Sequence, residues 1–327
     1  MTVKQTAIGT EELHLGMLKT EDRIVQRRSS LKRIKNCWEL YVFLLPAVIL
    51  VILFSYVPMY GIQLAFKELA PGKTITESPW VGLAHFKRLF SLPDFPKLMW
   101  NTIKLSFIAN LCTFPLPIIF ALLLNQADNR RFKKAVQTIS YIPHLFSIVI
   151  VISIASLLLS PTSGIVNILI KRLGGETILF FGSDKYVIPL YIITDVWQNL
   201  GYGAIVYIAA LSGIDQEQME AARVDGCSRI RLIWNIELPS IAGTVVIMQI
   251  LRWGQLFSVG VDKMLLLQTS LNLGASEVLS TYVYKVGLLD GQFGFSTAVN
   301  LFNTLINVCC LLTVNAAARK FSDTSLF

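Results

Sequence analysis

Three sets of polar side chains interrupt otherwise apolar stretches of this 327-residue sequence. Asp195, Gln198, Asn199 and Tyr202 fall at i, i+3, i+4 and i+7, the spacing of one helix face. Asn300, Asn303, Thr304 and Asn307 repeat that spacing, and Gln249, Arg252 and Trp253 form a third group. Such groups can hydrogen-bond a polyhydroxylated solute while aromatic rings stack on its faces. They can equally bond helix to helix. Helix bonding is the better reading for the set around Asn303, and both readings stand for the other two. No catalytic chemistry is visible. His14, His85 and His144 are isolated, no Ser-His-Asp or paired-carboxylate arrangement stands out, and no second His or Cys sits at ligand spacing. Gly72-Lys73-Thr74 has Lys67 where a phosphate-binding loop needs its first glycine, and Leu211-Ser212-Gly213 merely closes an apolar run. Neither an enzyme site nor a metal or cofactor in this chain is expected.

The elements that carry these groups follow from composition. The chain is 54% hydrophobic and 15% charged, with a mean hydropathy of +0.58. A soluble domain carries about 25% charged residues, so lipid is the expected solvent. The net charge of +8 sits beside apolar runs, which reads as orientation of membrane helices and not as a nucleic-acid surface. Five cysteines, an odd number without C-x-x-C spacing, read as packing residues.

A helix needs about 20 apolar residues to cross a bilayer. Six stretches qualify, at 41–65, 104–126, 137–160, 187–211, 241–261 and 293–318. The expected fold is an all-α polytopic membrane protein with a polar segment at 1–36, a transmembrane domain over 37–320 and a tail at 321–327. The first apolar run, Leu40 to Phe66, exceeds a signal-peptide core and reads as a retained anchor. With both termini inside, 17 Lys and Arg fall in cytoplasmic segments against 11 in outer loops. Asp128-Asn129-Arg130-Arg131-Phe132-Lys133-Lys134 is the clearest inside marker. Trp80 to Trp100 reads as short amphipathic helices at the outer interface. Pro115, Pro117 and Pro143 should break helices where neighbours satisfy the freed carbonyls. Counting rise per residue puts Asp195 and Arg252 at similar depth, which suggests that they pair.

The cytoplasmic loop 212–240 is the most specific segment. Asp215 caps a short helix, with Gln218 completing a capping box, and Glu217 and Glu220 lie at its positive end. Gly226 supplies the left-handed residue that ends it, and Pro239 suits the first turn of the next span.

Glu220-Ala221-Ala222, Gly226 three residues on, and Ile236-x-Leu238-Pro239 after nine more resemble the EAA motif of binding-protein-dependent ABC importer permeases. Softer likeness to the oligosaccharide and polysaccharide branch of the sugar permeases lies in Trp80-Val81-Gly82-Leu83 and Ser280-Thr281-Tyr282-Val283-Tyr284. Gly291-Gln292-Phe293 and the closing Asp323-Thr324-Ser325-Leu326 add to it. The resemblance covers nearly the whole chain beyond residue 37. It implies that loop 212–240 carries a coupling helix which docks on a separate ATPase. Glu220 would be the polar contact, Ala221 and Ala222 the close-approach face and Gly226 the turn, with Asp225, Ile236, Leu238 and Pro239 completing the site. It further implies an ATPase dimer holding ATP and Mg, a second homologous permease, an extracytoplasmic solute-binding protein and an oligosaccharide passed across the bacterial inner membrane by alternating access. A permease for another solute class, or a stand-alone secondary carrier, is the competing expectation.

Overall fold

A computed structural model of the chain describes residues 37–69 and 72–321. The expectations for residues 1–36 and for the tail motif at 323–326 lie outside them. Among the described residues everything regular is helical apart from one bridge, Lys67 to Trp80. The chain divides into two units, Met1–Ile62 and Gln63–Phe327. The first contains α1 (Trp38–Val51), with Pro46 inside it, followed by a wide turn over Ile52–Tyr56.

The second unit is organised on one long helix, α8 (Asp184–Ser212). In order come α2 (Ala84–Ser91), α3 (Phe95–Thr113), α4 (Pro115–Asn125), α5 (Arg130–Tyr141), α6 (Ile148–Leu158) and α7 (Ile165–Arg172). After α8 come α9 (Gln216–Val224), α10 (Arg229–Leu232), α11 (Leu238–Trp253), α12 (Val261–Leu267), α13 (Leu273–Ser276), α14 (Leu279–Tyr284) and α15 (Phe293–Phe321). Helices α3, α4, α5, α6, α11, α12 and α13 all pack against α8. Its buried positions include Leu190, Thr194, Gln198, Gly201, Ala204 and Leu211, a stripe with the three-and-four spacing of a helix seam. At Gly201 the approach is closest, because an added Cβ would run into the Ser140 carbonyl of α5.

Among the described residues four helices are long and apolar enough to cross a membrane: Trp38–Phe66, Phe95–Asn125, Arg229–Trp253 and Phe293–Lys320. A fifth crossing arises if the bent pair Arg130–Leu145 and Ile148–Leu158 is one span. Several expected bounds therefore move. The run expected over 104–126 starts at Phe95, so Phe95 to Trp100 belong to α3 and not to an interfacial helix, whereas α2 is separate as expected and buries His85 and Leu89. The run expected to 261 ends at Trp253. The run expected over 137–160 turns through 100°. Pro143 opens a short tight turn over Ile142–Leu145, and the corner follows at Phe146 and Ser147, both extended. The Phe146 carbonyl at that corner finds a protein partner, since Gln198 Nε2 donates to it at 3.0 Å. Helix α8, although 29 residues long, is not among the four, because Asp195, Gln198 and Asn199 lower its mid-section hydropathy. Those groups are turned to protein, which window averages do not see.

All five cysteines are free thiols, and Cys37, Cys112 and Cys309 are exposed. The packing role expected of them is corrected for those three.

Candidate functional site

The loop after α8 folds as a capped knob. Asp215 Oδ1 accepts the Glu217 N–H at 3.0 Å, which is the second helical amide. The capping box expected from Gln218 would use the third. The other end closes as a Schellman motif: the Gly226 N–H reaches the Arg223 carbonyl at 3.1 Å and the Cys227 N–H reaches Ala222 at 3.0 Å. Gly226 has φ +76°, the left-handed conformation the motif requires. Each such cap stabilises a short helix by about 1 kcal/mol, which a nine-residue element needs.

The knob has two faces. Met219 is buried and Ala222 packs beside it, against a core formed by Ile118 and Leu122 of α4 and Tyr207 and Leu211 of α8. Glu217, Glu220, Ala221 and Val224, at i, i+3, i+4 and i+7, are exposed, Val224 to 88%. Asp225 is exposed at the turn. The two alanines expected to share one face are thus divided: Ala221 looks out and Ala222 looks in.

Pro239 stands in the first turn of α11, as expected, although that helix is not a fresh start. Arg229–Trp253 is one continuous helix, and the wide turn Ile233–Glu237 lies immediately before Leu238 and Pro239. Opening that turn accommodates the proline ring and its missing donor. Ile236 and Leu238 pack on the same core as Ala222. Between them Glu237 is fully buried, and its Oε1 accepts from Asn125 Nδ2 at 2.6 Å and from Gln126 Nε2 at 2.7 Å. Arg229 pairs with Asp128 at 2.9 Å, an exposed contact of little energy that closes the clasp. Glu237 was legible only as the unspecified position of a motif, yet it ties the α4–α5 loop to the base of the knob.

Farther along α8, a cavity of about 310 Å³ lies between α4, α8 and α11. Asp195, Asn199 and Arg252 line it, as the polar spacing predicts, together with Thr113, Phe114 and Tyr207. A second, smaller cavity of about 120 Å³ shares Thr113, Asp195 and Arg252 with it. Its wall includes Ser106 and Asn110, which with Thr113 form an i, i+4, i+7 stripe that sequence reading passed over.

Asp195 and Arg252 do not pair. Lys263 of α12 reaches Asp195 Oδ1 at 3.3 Å, its side chain only 7% exposed, and lies over the Tyr191 ring at 4.1 Å. Arg252 Nη2 donates instead to Thr113 Oγ1 at 2.7 Å, with the guanidinium 5.9 Å from the Phe114 ring. Lys263 escaped notice because a cation in an outer loop needs no explanation; here α12 folds back against α6 and α8. The carboxylate can only accept, so the Asn199 amide, 3.1 Å away, must donate to it and present Oδ1 to His144 Nδ1 at 2.9 Å. His144 therefore carries its proton on Nδ1. Its ring stacks on Tyr202 of α8 at 3.8 Å.

Breaking a buried pair leaves a bare charge and costs about 3–5 kcal/mol. Lys263→Met is expected to lower the thermal stability of the purified protein, and adding Asp195→Asn to recover most of the loss. Asp195→Asn with Arg252→Ala should simply add. Additive losses for the Asp195 and Lys263 substitutions would remove the pairing.

The remaining expected residues divide. Gln198 serves the Phe146 carbonyl. Trp253 meets Phe107 edge-on at 6.1 Å, and Gln249 Oε1 is buried without a partner. Asn303 Nδ2 donates to the Phe257 carbonyl at 3.2 Å, and Asn307 Oδ1 accepts the Phe257 N–H at 2.9 Å, so this face bonds α15 to the segment after α11. Asn300 is exposed and lines a separate groove with Val261 and Tyr284.

Residues 113–321 match the family model described as the binding-protein-dependent transport system inner membrane component. The chain is 42% identical over 289 residues to the polygalacturonan/rhamnogalacturonan transport system permease protein YteP of Bacillus subtilis (strain 168), covering 88% of this chain and 90% of that protein. It is 38% identical over 299 residues to protein LplB of the same organism, covering 91% and 93%. Among solved structures it is similar to a chain of a bacterial ABC transporter involved in the import of the acidic polysaccharide alginate. That match has a TM-score of 0.81 and 35% identity, over 89% of this chain and 98% of that one. A second structure of an alginate transporter, in complex with an alginate pentasaccharide-bound periplasmic protein, matches with a TM-score of 0.82, 35% identity and coverage of 90% and 99%.

Proposed function

The chain belongs to the binding-protein-dependent transport system inner membrane components, and from that we propose that it is the permease subunit of an ATP-driven oligosaccharide importer. An external binding protein delivers the sugar, alternating access passes it inward, and a separate ATPase dimer drives the cycle through α9. One knob per chain calls for a second, homologous permease to seat the second ATPase. The membrane is the bacterial inner membrane, crossed six times when the bent pair and α8 are both counted, with both termini inside.

The observation that carries this reading is the capped knob with its exposed Glu217, Glu220, Ala221 and Val224 stripe, clasped at its base by Glu237. The core under the knob includes Tyr207 and is packed by Phe114 and Met248, and all three also line the cavity. A push on α9 is therefore delivered to the cavity wall.

The cavity also supports an acidic sugar. Asp195 is neutralised by Lys263, whereas Arg252 has no carboxylate partner among the described residues. One uncompensated guanidinium beside hydroxyl, amide and aromatic groups suits a uronate ring. The relatives named for polygalacturonan and alginate agree with that chemistry.

The test is uptake into reconstituted vesicles, with the ATPase, the second permease, the binding protein and ATP omitted in turn. Uptake is expected only when all are present, and a membrane-impermeant thiol reagent should label a Glu220→Cys variant from the ATPase side alone. Uptake by this chain alone on an ion gradient, or external labelling at position 220, would overturn the reading.

A further inference from the structure

We propose that the α5–α8 face holds an anionic phospholipid of the cytoplasmic leaflet, with its phosphate between Arg131 and Lys134 and an acyl chain along α8. The proposal rests on the α4–α5 loop facing the cytoplasm, as the reading above requires.

Helix α5 buries no residue completely, and its outward side carries Arg131, Phe132, Lys134, Ala135, Thr138 and Ile139. Two grooves meet there. One, of about 390 Å³, is lined by Arg131, Lys134, Ala135, Thr138 and Ile139. The other, of about 510 Å³, shares Ile139 and continues between Pro143 and the Ile192, Ile193, Val196 and Trp197 side of α8. Gly201 and Ser140 lie in its wall, where the missing side chain lets the two helices close up. From Ile192 to Gly201 the apolar groove follows nine residues of helix, or about 14 Å. One end is thus cationic and the other apolar, and the two join at Ile139.

The cations are available. Lys133 is spent on the Asn125 carbonyl at 2.9 Å, and Asp128, the one acid of the loop, is taken by Arg229. Neither Arg131 nor Lys134 has an acidic partner among the described residues. Basic pockets beside a transmembrane groove on this side of a membrane fit phospholipid headgroups. A free phosphate would use the charges and leave the groove empty. A protein partner would have to bring an acid and an apolar ridge in the same register.

The test uses the full-length chain purified in its native assembly and examined by native mass spectrometry. Phosphatidylglycerol should be retained in preference to phosphatidylcholine, and glycerol 3-phosphate should not be retained. The Arg131→Gln/Lys134→Gln variant should hold about thirtyfold less phosphatidylglycerol, and Arg131→Lys/Lys134→Arg should keep it. A photo-cross-linker introduced at Ile193 should capture lipid, which decides the matter even if the neutral variant assembles poorly. Equal retention of both lipids, an unaffected neutral variant, or capture of a polypeptide at position 193 would overturn the proposal. The last result would make this face a subunit interface.

Discussion

Glu220→Lys is expected to abolish ATP-driven uptake while leaving the chain folded and in the membrane. Glu220 is exposed and forms no hydrogen bond or ion pair with other described residues, so folding does not depend on its charge. It stands in the middle of the exposed stripe, one turn from Glu217 and beside Ala221 and Val224. In the proposed function this acid, flanked by small apolar groups, meets a basic, grooved partner. Reversing the charge turns an attraction into a repulsion at the centre of that contact. Losing one partner of a desolvated charge pair costs about 2–5 kcal/mol, and reversal costs at least as much, which means uptake reduced more than tenfold. The measurements are uptake, co-purification of the ATPase and thermal stability of the permease. Uptake and co-purification should fall with stability unchanged. Normal uptake would remove α9 from the coupling path, whatever the fate of the oligosaccharide reading.

Arg252→Gln is expected to separate acidic from neutral saccharides. The guanidinium is the cavity's one cation without a carboxylate, held by Thr113 Oγ1 at 2.7 Å and by the Phe114 ring. Glutamine retains a donor for Thr113 and removes the charge. A charge-assisted hydrogen bond is worth about 1.5–3 kcal/mol, so transport of a uronate oligomer should fall roughly 10- to 100-fold. Neutral oligosaccharides of equal length should change by less than about threefold, since their hydroxyls lose one donor among several. A parallel fall in both classes would leave Arg252 as a structural group and would remove the argument for an acidic substrate.

What the sequence made legible follows from how local each signal is. The knob was readable almost residue by residue, because caps, a left-handed glycine and a docking stripe are all set within about ten positions. Its errors were of one turn: the amide that Asp215 takes and the outward turn of Ala221. The apolar runs were legible in part: among the described residues four helices, or five with the bent pair, are long and apolar enough to cross a membrane, and their ends differ from the expected ones. Phe95 to Trp100 continue α3 although they look interfacial, and the break after Pro143 turns a single run into a corner of 100°. The cavity was half legible. Asp195, Asn199 and Arg252 face it as their spacing predicts, yet the ion pair went to Lys263, 68 residues along in a loop whose return to α8 no local pattern announces. Glu237 was hidden for a different reason: burial of a carboxylate depends on Asn125 and Gln126, more than a hundred residues earlier.

Tyr207, Phe114 and Met248 belong at once to the packing beneath the knob and to the wall of the polar chamber. If α9 couples to the ATPase and the chamber holds the sugar, as proposed, drive train and cargo bay are built from the same rings and thioether. Selection for a broader diet at these three positions should keep returning variants with altered fuel economy, and selection for tighter ATP use should keep returning variants with altered taste.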